Sequence, residues 1–204
     1  MEHFYQNIQG WFNYHKLYSF IIKELPYNSH MIEIGAWKGA STAYLTVEII
    51  NSEKNIKLDV VDTWKGSDDP SRGNYINDLR DNNGDMLIAF IKNMEPVKHL
   101  INPIHLDSVE AAKLYDDKSL DFVFIDGNHD KYYVEADINA YLPKIKNSGW
   151  IGGHDYNHPA LPGVTEVVNN VFKERVITFK GTFDPEYPNN QLVDFNTDSW
   201  LVRV

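Results

Sequence analysis

The chain has 204 residues, no cysteine, and 19 Lys and Arg against 29 Asp and Glu, a formal net charge of −10. That length predicts one domain with a sizeable core. The missing cysteines exclude disulfides and thiolate metal sites, and the acidity argues against a nucleic-acid partner, which needs clustered Lys and Arg.

The start, Met1 to Gln6, lacks the basic residues and apolar run of a signal peptide. No stretch approaches about 18 apolar residues, so no membrane span and a cytoplasmic location are expected. Phe4–Leu25, rich in aromatics (Trp11, Phe12, Tyr14, Tyr18, Phe20), reads as a helix packed on a sheet. It makes residues 1–28 a helical cap whose first half could help cover a substrate site.

Strands and helices then alternate. Strands are predicted at Met31–Ile34, Lys57–Val61, Leu100–Ile104, Phe122–Ile125 and Trp150–Gly152, and helices at Thr42–Ile50, Met86–Met94, Val109–Leu114 and Tyr132–Leu142. After Pro162-Gly163, the residues Val164, Val167, Val168, Val171 and Phe172 mark one apolar helix face. Val176–Phe179 and Ser199–Val202 close the chain as a strand-like pair. The expected architecture is an α/β, doubly wound, Rossmann-like seven-stranded sheet, mostly parallel, with an antiparallel C-terminal hairpin. Two polar stretches, 63–83 and 180–198, are expected to be long loops, either binding loops or surface insertions.

In such a sheet, ligands lie at the carboxyl ends of the strands. The turn Glu33-x-Gly35-Ala36-x-x-Gly39-x-Ser41 follows the first strand and lets a nucleotide-like ligand approach the backbone. Asp62 closes the second strand, where a carboxylate can accept from ribose hydroxyls or serve as a loop acid or cap. Asp107-Ser108, with Glu110 three residues after Asp107, reads as a helix cap and as a possible adenine contact. The glycine spacing departs from G-x-G-x-x-G, which disfavours a nicotinamide-dependent oxidoreductase.

Asp126 ends the fourth strand and Asp155 follows the fifth. On adjacent strands they would lie about 4.8 Å apart, a pair of hard oxygen donors suited to Mg²⁺, Ca²⁺ or Mn²⁺. His129, His154 or His158 could complete the set, although each also reads as an ordinary packed or surface histidine. His129, three residues beyond Asp126, has the chemistry of a general base or could simply orient the next helix. Trp37, Trp64 and Tyr156 could wall off water.

Taken together, Asp126-Gly127-Asn128-His129, His154-Asp155-Tyr156 and the Gly35 turn resemble the class I S-adenosylmethionine-dependent methyltransferases, from about Met31 to Val204. The small-molecule O-methyltransferase branch, with its Asp-Gly-x-His and His-Asp-Tyr motifs, is the most similar. The resemblance implies S-adenosylmethionine held by the Gly35 loop, Asp62 and the Asp107 region, with Asp126 facing both the cofactor and the chemistry. It also implies a divalent metal between the acids at the two strand ends, a basic catalytic residue at the position of His129, and a small-molecule hydroxyl as acceptor. Where enzymes similar to catechol O-methyltransferase carry Asn or Asp after the second acid, this chain has Tyr156. A homo-oligomer, a non-catalytic cofactor-binding member of the fold, and a metallophosphoesterase suggested by Gly127-Asn128-His129-Asp130 are the remaining expectations.

Overall fold

A computed structural model describes residues 1–66, 76–187 and 197–204. The parts of the two expected loops at 67–75 and 188–196 lie outside the described residues. Seven strands form one sheet: β1 (His30–Ile34), β2 (Lys57–Asp62), β3 (Ile101–His105), β4 (Leu120–Ile125), β5 (Ile145–Tyr156), β6 (Ile177–Lys180) and β7 (Asp198–Arg203). Their order is β3-β2-β1-β4-β5-β7-β6. The first five are parallel, and β7 runs antiparallel between β5 and β6. The chain winds outward from β1 to β3, then returns to place β4 beside β1. That reversal opens a crevice at the carboxyl ends of β1 and β4, where doubly wound sheets bind ligands.

Alternation along the strands builds two cores. Phe122 and Phe124 face α1 (His15–Glu24) and α2 (Ala40–Ser52), with Leu17, Ile21 and Leu45 in the same cluster. Val123 and Ile125 face the other way. They join a second cluster holding Ala111 of α5 (Ser108–Ala112), Ile138 of α6 (Lys131–Tyr141) and Val168 of α7 (Pro162–Phe172). Two short helices, α3 (Ile76–Asp81) and α4 (Leu87–Asn93), lie between β2 and β3. The first of them occupies part of the stretch expected to be loop.

The N-terminal helix is shorter than its aromatic spacing predicts. A single 3-10 turn at Tyr5–Asn7 precedes non-helical chain, and α1 begins only at His15. Gly10 and Asn13 are poor helix formers, and both have tertiary duties. A Cβ on Gly10 would sit 3.0 Å from Cβ of Ala40. Asn13 meets His154, and its carbonyl accepts from the Thr182 amide at 2.6 Å. Strand β5 starts earlier than the expected Trp150: its pairing with β4 slips between Leu120 and Phe122, and Val204 exchanges backbone hydrogen bonds with Ser148 and Gly149 beside it.

Candidate functional site

A cavity of about 440 Å³ opens at the carboxyl ends of β1, β2, β4 and β5. Its floor is the turn after β1. Gly35 has φ +82°, and a Cβ there would collide with the backbone carbonyl of Asp126. Only glycine permits that contact. The turn is held from below by Asp62. Its Oδ2 accepts from the Ala36 and Trp37 amides at 2.8 Å each, and its Oδ1 accepts from the Trp64 amide at 2.7 Å. The buried Trp64 indole donates to the Trp37 carbonyl at 2.9 Å. Burial pushes the Asp62 carboxyl upward, against the downward pull of the amides. Asp62 lines the cavity, but it does not stand free at the strand end: it anchors the loop.

Other predicted residues part company here. Gly35, Ala36, Ser41, Asp62, Asp107, Ser108 and Asp126 line the cavity, whereas Glu33 and Gly39 are not on its walls. Glu33 is fully buried beneath it, accepting from Tyr18 at 2.7 Å and from Thr42. Burial raises its carboxyl to about 7. It supports the turn from beneath and, expected as a cofactor contact, does not reach the cavity wall. Gly39, with φ +93°, packs on Phe90 and Met94, and a Cβ there would come within 2.8 Å of Met94 Cε. Asp107 caps α5 by accepting from the Val109 and Glu110 amides at 3.0 and 3.4 Å. Ser108 donates to Asp137 of α6, a residue the sequence reading did not single out. Burial raises the Asp137 carboxyl to about 7. An acid placed on the inward face of α6, among Val134, Ile138 and Tyr141, was the available signal.

The chemical end is built by β4, β5 and the segment before α1. Asp126 and Asp155 share the space with two histidines. His129 Nε2 lies 2.9 Å from Asp155 Oδ2 and 3.8 Å from Asp126 Oδ1. His154 Nδ1 lies 3.4 Å from Asp155 Oδ2 and 3.6 Å from Asp126 Oδ1. Tyr14 donates its hydroxyl to Asp126 Oδ2 at 2.9 Å. Successive side chains of a strand normally face opposite sides, yet His154 and Asp155 reach one cluster. The register of β5 against β7 shifts between Gly153 and Tyr156, and Asp155 takes a left-handed φ of 57°. This irregularity re-aims the pair. Gly153 allows it, since a Cβ would come 2.7 Å from the Trp200 indole nitrogen.

Burial disfavours charge on all three groups, but their proximity prevails. The two aspartates push His154 up to about 10, and the histidines hold Asp126 and Asp155 below the ordinary carboxylate range. Asp126, His154 and Asp155 present ligand atoms all within 4.8 Å of one another. Donors on one ion with bonds of about 2.1 Å sit roughly 3 Å apart, close to the spacings above, so these residues fit a divalent cation. His158 lines the cavity, but its Nδ1 accepts from the Ala160 amide at 3.1 Å and it is not part of this group. Tyr156 turns away and donates to Asn169 at 2.9 Å.

A glycine turn at the switch point, with paired acids and histidines beside it, marks an α/β enzyme that brings a nucleotide-like cofactor to a polar reaction centre. The chain belongs to the methyltransferase-domain family, whose model matches residues 32–156. Solved structures share the fold at low identity. An S-adenosylmethionine-dependent O-methyltransferase of Thermotoga maritima matches with TM-score 0.62 and 14% identity, over 96% of this chain and 67% of that one. A Podospora anserina methyltransferase bound to S-adenosylhomocysteine gives 0.58 and 13%, over 93% and 77%. An rRNA methylase of Streptococcus thermophilus gives 0.54 and 11%, over 93% and 94%. Among curated proteins, none matches the chain at the sequence level. Family membership leaves no ground for the phosphoesterase reading: Gly127-Asn128-His129-Asp130 is simply the connection from β4 to α6. No helix among the described residues is long and apolar enough to cross a membrane.

Proposed function

We propose that the protein transfers a methyl group from S-adenosylmethionine to a hydroxyl of a small molecule, with a divalent cation held by Asp126, Asp155 and His154. The observation that carries this reading is the backbone contact between Gly35 and Asp126, which joins the cofactor turn to the acid–histidine cluster in one cavity. S-adenosylmethionine would supply an electrophilic methyl on a sulfonium. A bound cation would lower the pKa of the acceptor hydroxyl and fix its direction.

The chain's own residues do the rest. The Gly35 turn and the Asp107–Ser108 cap flank the cofactor end, and His129 stands at the acceptor end. Bound there, S-adenosylmethionine would give its methyl to the acceptor oxygen and leave as the neutral thioether, the carbon–sulfur electron pair remaining on sulfur. The hydroxyl proton passes to the His129–Asp155 pair. Most of the acceleration comes from alignment of oxygen, carbon and sulfur. A nucleic-acid acceptor is disfavoured by the net charge of −10, and among the described residues Lys38 is the only Lys or Arg lining the cavity. Its ammonium is paired with Asp78 at 2.8 Å.

Calorimetric titration with S-adenosylhomocysteine tests the reading. Micromolar binding that is lost in Gly35→Val is expected. Absence of any binding heat, with or without added cation, overturns it.

A further inference from the structure

The third donor is an imidazole, and its other nitrogen is already committed. His154 Nε2 lies 2.8 Å from Oδ1 of Asn13, and both side chains are buried. An amide oxygen only accepts, so Nε2 carries the proton in this contact. Nδ1 is then the atom turned toward Asp126 and Asp155. A metal-bound histidine characteristically has such an outer partner, which fixes its ring and its tautomer. Asn13 is itself fixed. Its carbonyl accepts from Thr182, and the next residue, Tyr14, holds Oδ2 of Asp126, leaving Oδ1 toward the histidines. One short segment therefore orients two of the three donors from outside.

Two carboxylates and one imidazole are not the all-oxygen set that Mg²⁺ and Ca²⁺ prefer. Imidazole suits first-row transition ions, and affinity for a mixed N/O site rises from Mn²⁺ onward. We propose that this site takes a transition-metal ion such as Mn²⁺, Fe²⁺, Co²⁺ or Zn²⁺ through His154 Nδ1, and that Asn13 is the positioning residue that presents that nitrogen. The inference rests on the cation-assisted reading above and narrows it to one class of ion.

The test uses the full chain stripped of metal. Mn²⁺ and Mg²⁺ are titrated separately by calorimetry into the unaltered protein, His154→Asp, Asn13→Leu and Asn13→Asp. Pulsed electron paramagnetic resonance of bound Mn²⁺ reads nitrogen coupling. The unaltered protein is expected to bind Mn²⁺ more than about tenfold tighter than Mg²⁺ and to show nitrogen coupling. His154→Asp should lose the coupling and most of the preference. Asn13→Leu should weaken Mn²⁺ binding about 10- to 100-fold, whereas Asn13→Asp, which keeps an acceptor, should retain it. Should the leucine variant not fold, the aspartate variant and His154→Asp still decide the matter. Equal Mn²⁺ and Mg²⁺ affinity, or coupling that survives in His154→Asp, overturns the inference alone. No cation binding by the unaltered protein overturns it together with the cation clause of the proposed function. S-adenosylhomocysteine titrated into the same sample reports the cofactor clause separately.

Discussion

Gly35 and Asp126 touch through their backbones: the left-handed glycine of the first turn packs against the carbonyl of the acid that follows β4. The Gly35 turn cannot shift without moving the acid–histidine cluster. Gly35→Ala combines a strained φ, which alone costs about 1–3 kcal/mol, with a collision against backbone. Loss of S-adenosylhomocysteine binding is expected, with a lower thermal midpoint. Calorimetry and a melting curve measure both, and an alanine variant with unchanged affinity would contradict the arrangement.

Asp155 sits at a left-handed φ that Asn tolerates and most residues do not. Asp155→Asn should therefore fold like the parent but lose one charged donor, with Mn²⁺ affinity falling at least tenfold. Asp155→Ala should lose affinity and also about 1 kcal/mol or more of stability from the backbone strain. Urea denaturation beside metal titration separates the two effects. Equal stability of the two variants would count against the strain argument.

Tyr14 is buried and donates to Asp126 at 2.9 Å. Hydrogen bonds to charged groups are worth about 1.5–3 kcal/mol, so Tyr14→Phe should lose stability on that scale with no change in fold. Denaturant midpoints check it, and no loss would show that the Asp126 oxygen finds another donor.

Asp137 predicts a pH dependence. Its carboxyl is raised to about 7 in the fold, against an ordinary value of 3.8. Between those values the folded chain keeps a proton that the unfolded chain has released. Stability therefore falls as pH rises through this window. Asp137→Asn stays neutral throughout. Its advantage over the parent should grow from pH 4 to 7, to at most about 4 kcal/mol. Glu33, also raised to about 7, keeps some slope in the variant. Urea midpoints across pH 4–8 measure the difference, and parallel curves for parent and variant would refute it.

Much of this was legible in the sequence because it is local. The β-branched runs, the Gly35 turn, the acid that ends β2 and the acid that follows β4 come from patterns within a dozen residues. The first half of the N-terminal segment was legible as a cover for the site, and Trp11, Phe12 and Tyr14 do line the cavity; the particular contacts of Asn13 and Tyr14 were not legible, since their partners lie far along the chain. The same tertiary contacts explain the overlong predicted helix: the aromatic spacing is helical, but Asn13 and Gly10 have better uses elsewhere. Glu33 and Gly39 follow the turn pattern faithfully, and only packing shows that they support the turn from beneath. The side-by-side placement of His154 and Asp155 depends on a register shift against β7, which no reading of β5 alone could supply.

That neighbour has a consequence for how the molecule assembles. Strand β7 is the last of the seven along the chain, yet it lies inside the sheet, between β5 and β6. Until it docks, β5 has an open edge, β6 has no partner, and His154 and Asp155 have no template for their irregular pairing. Closing so long a connection is slow. The Gly35 turn, resting on β1, β2 and β4, can form first. The acid–histidine end should mature last, with the arrival of Trp200 and Leu201 opposite Gly153 and Gly152.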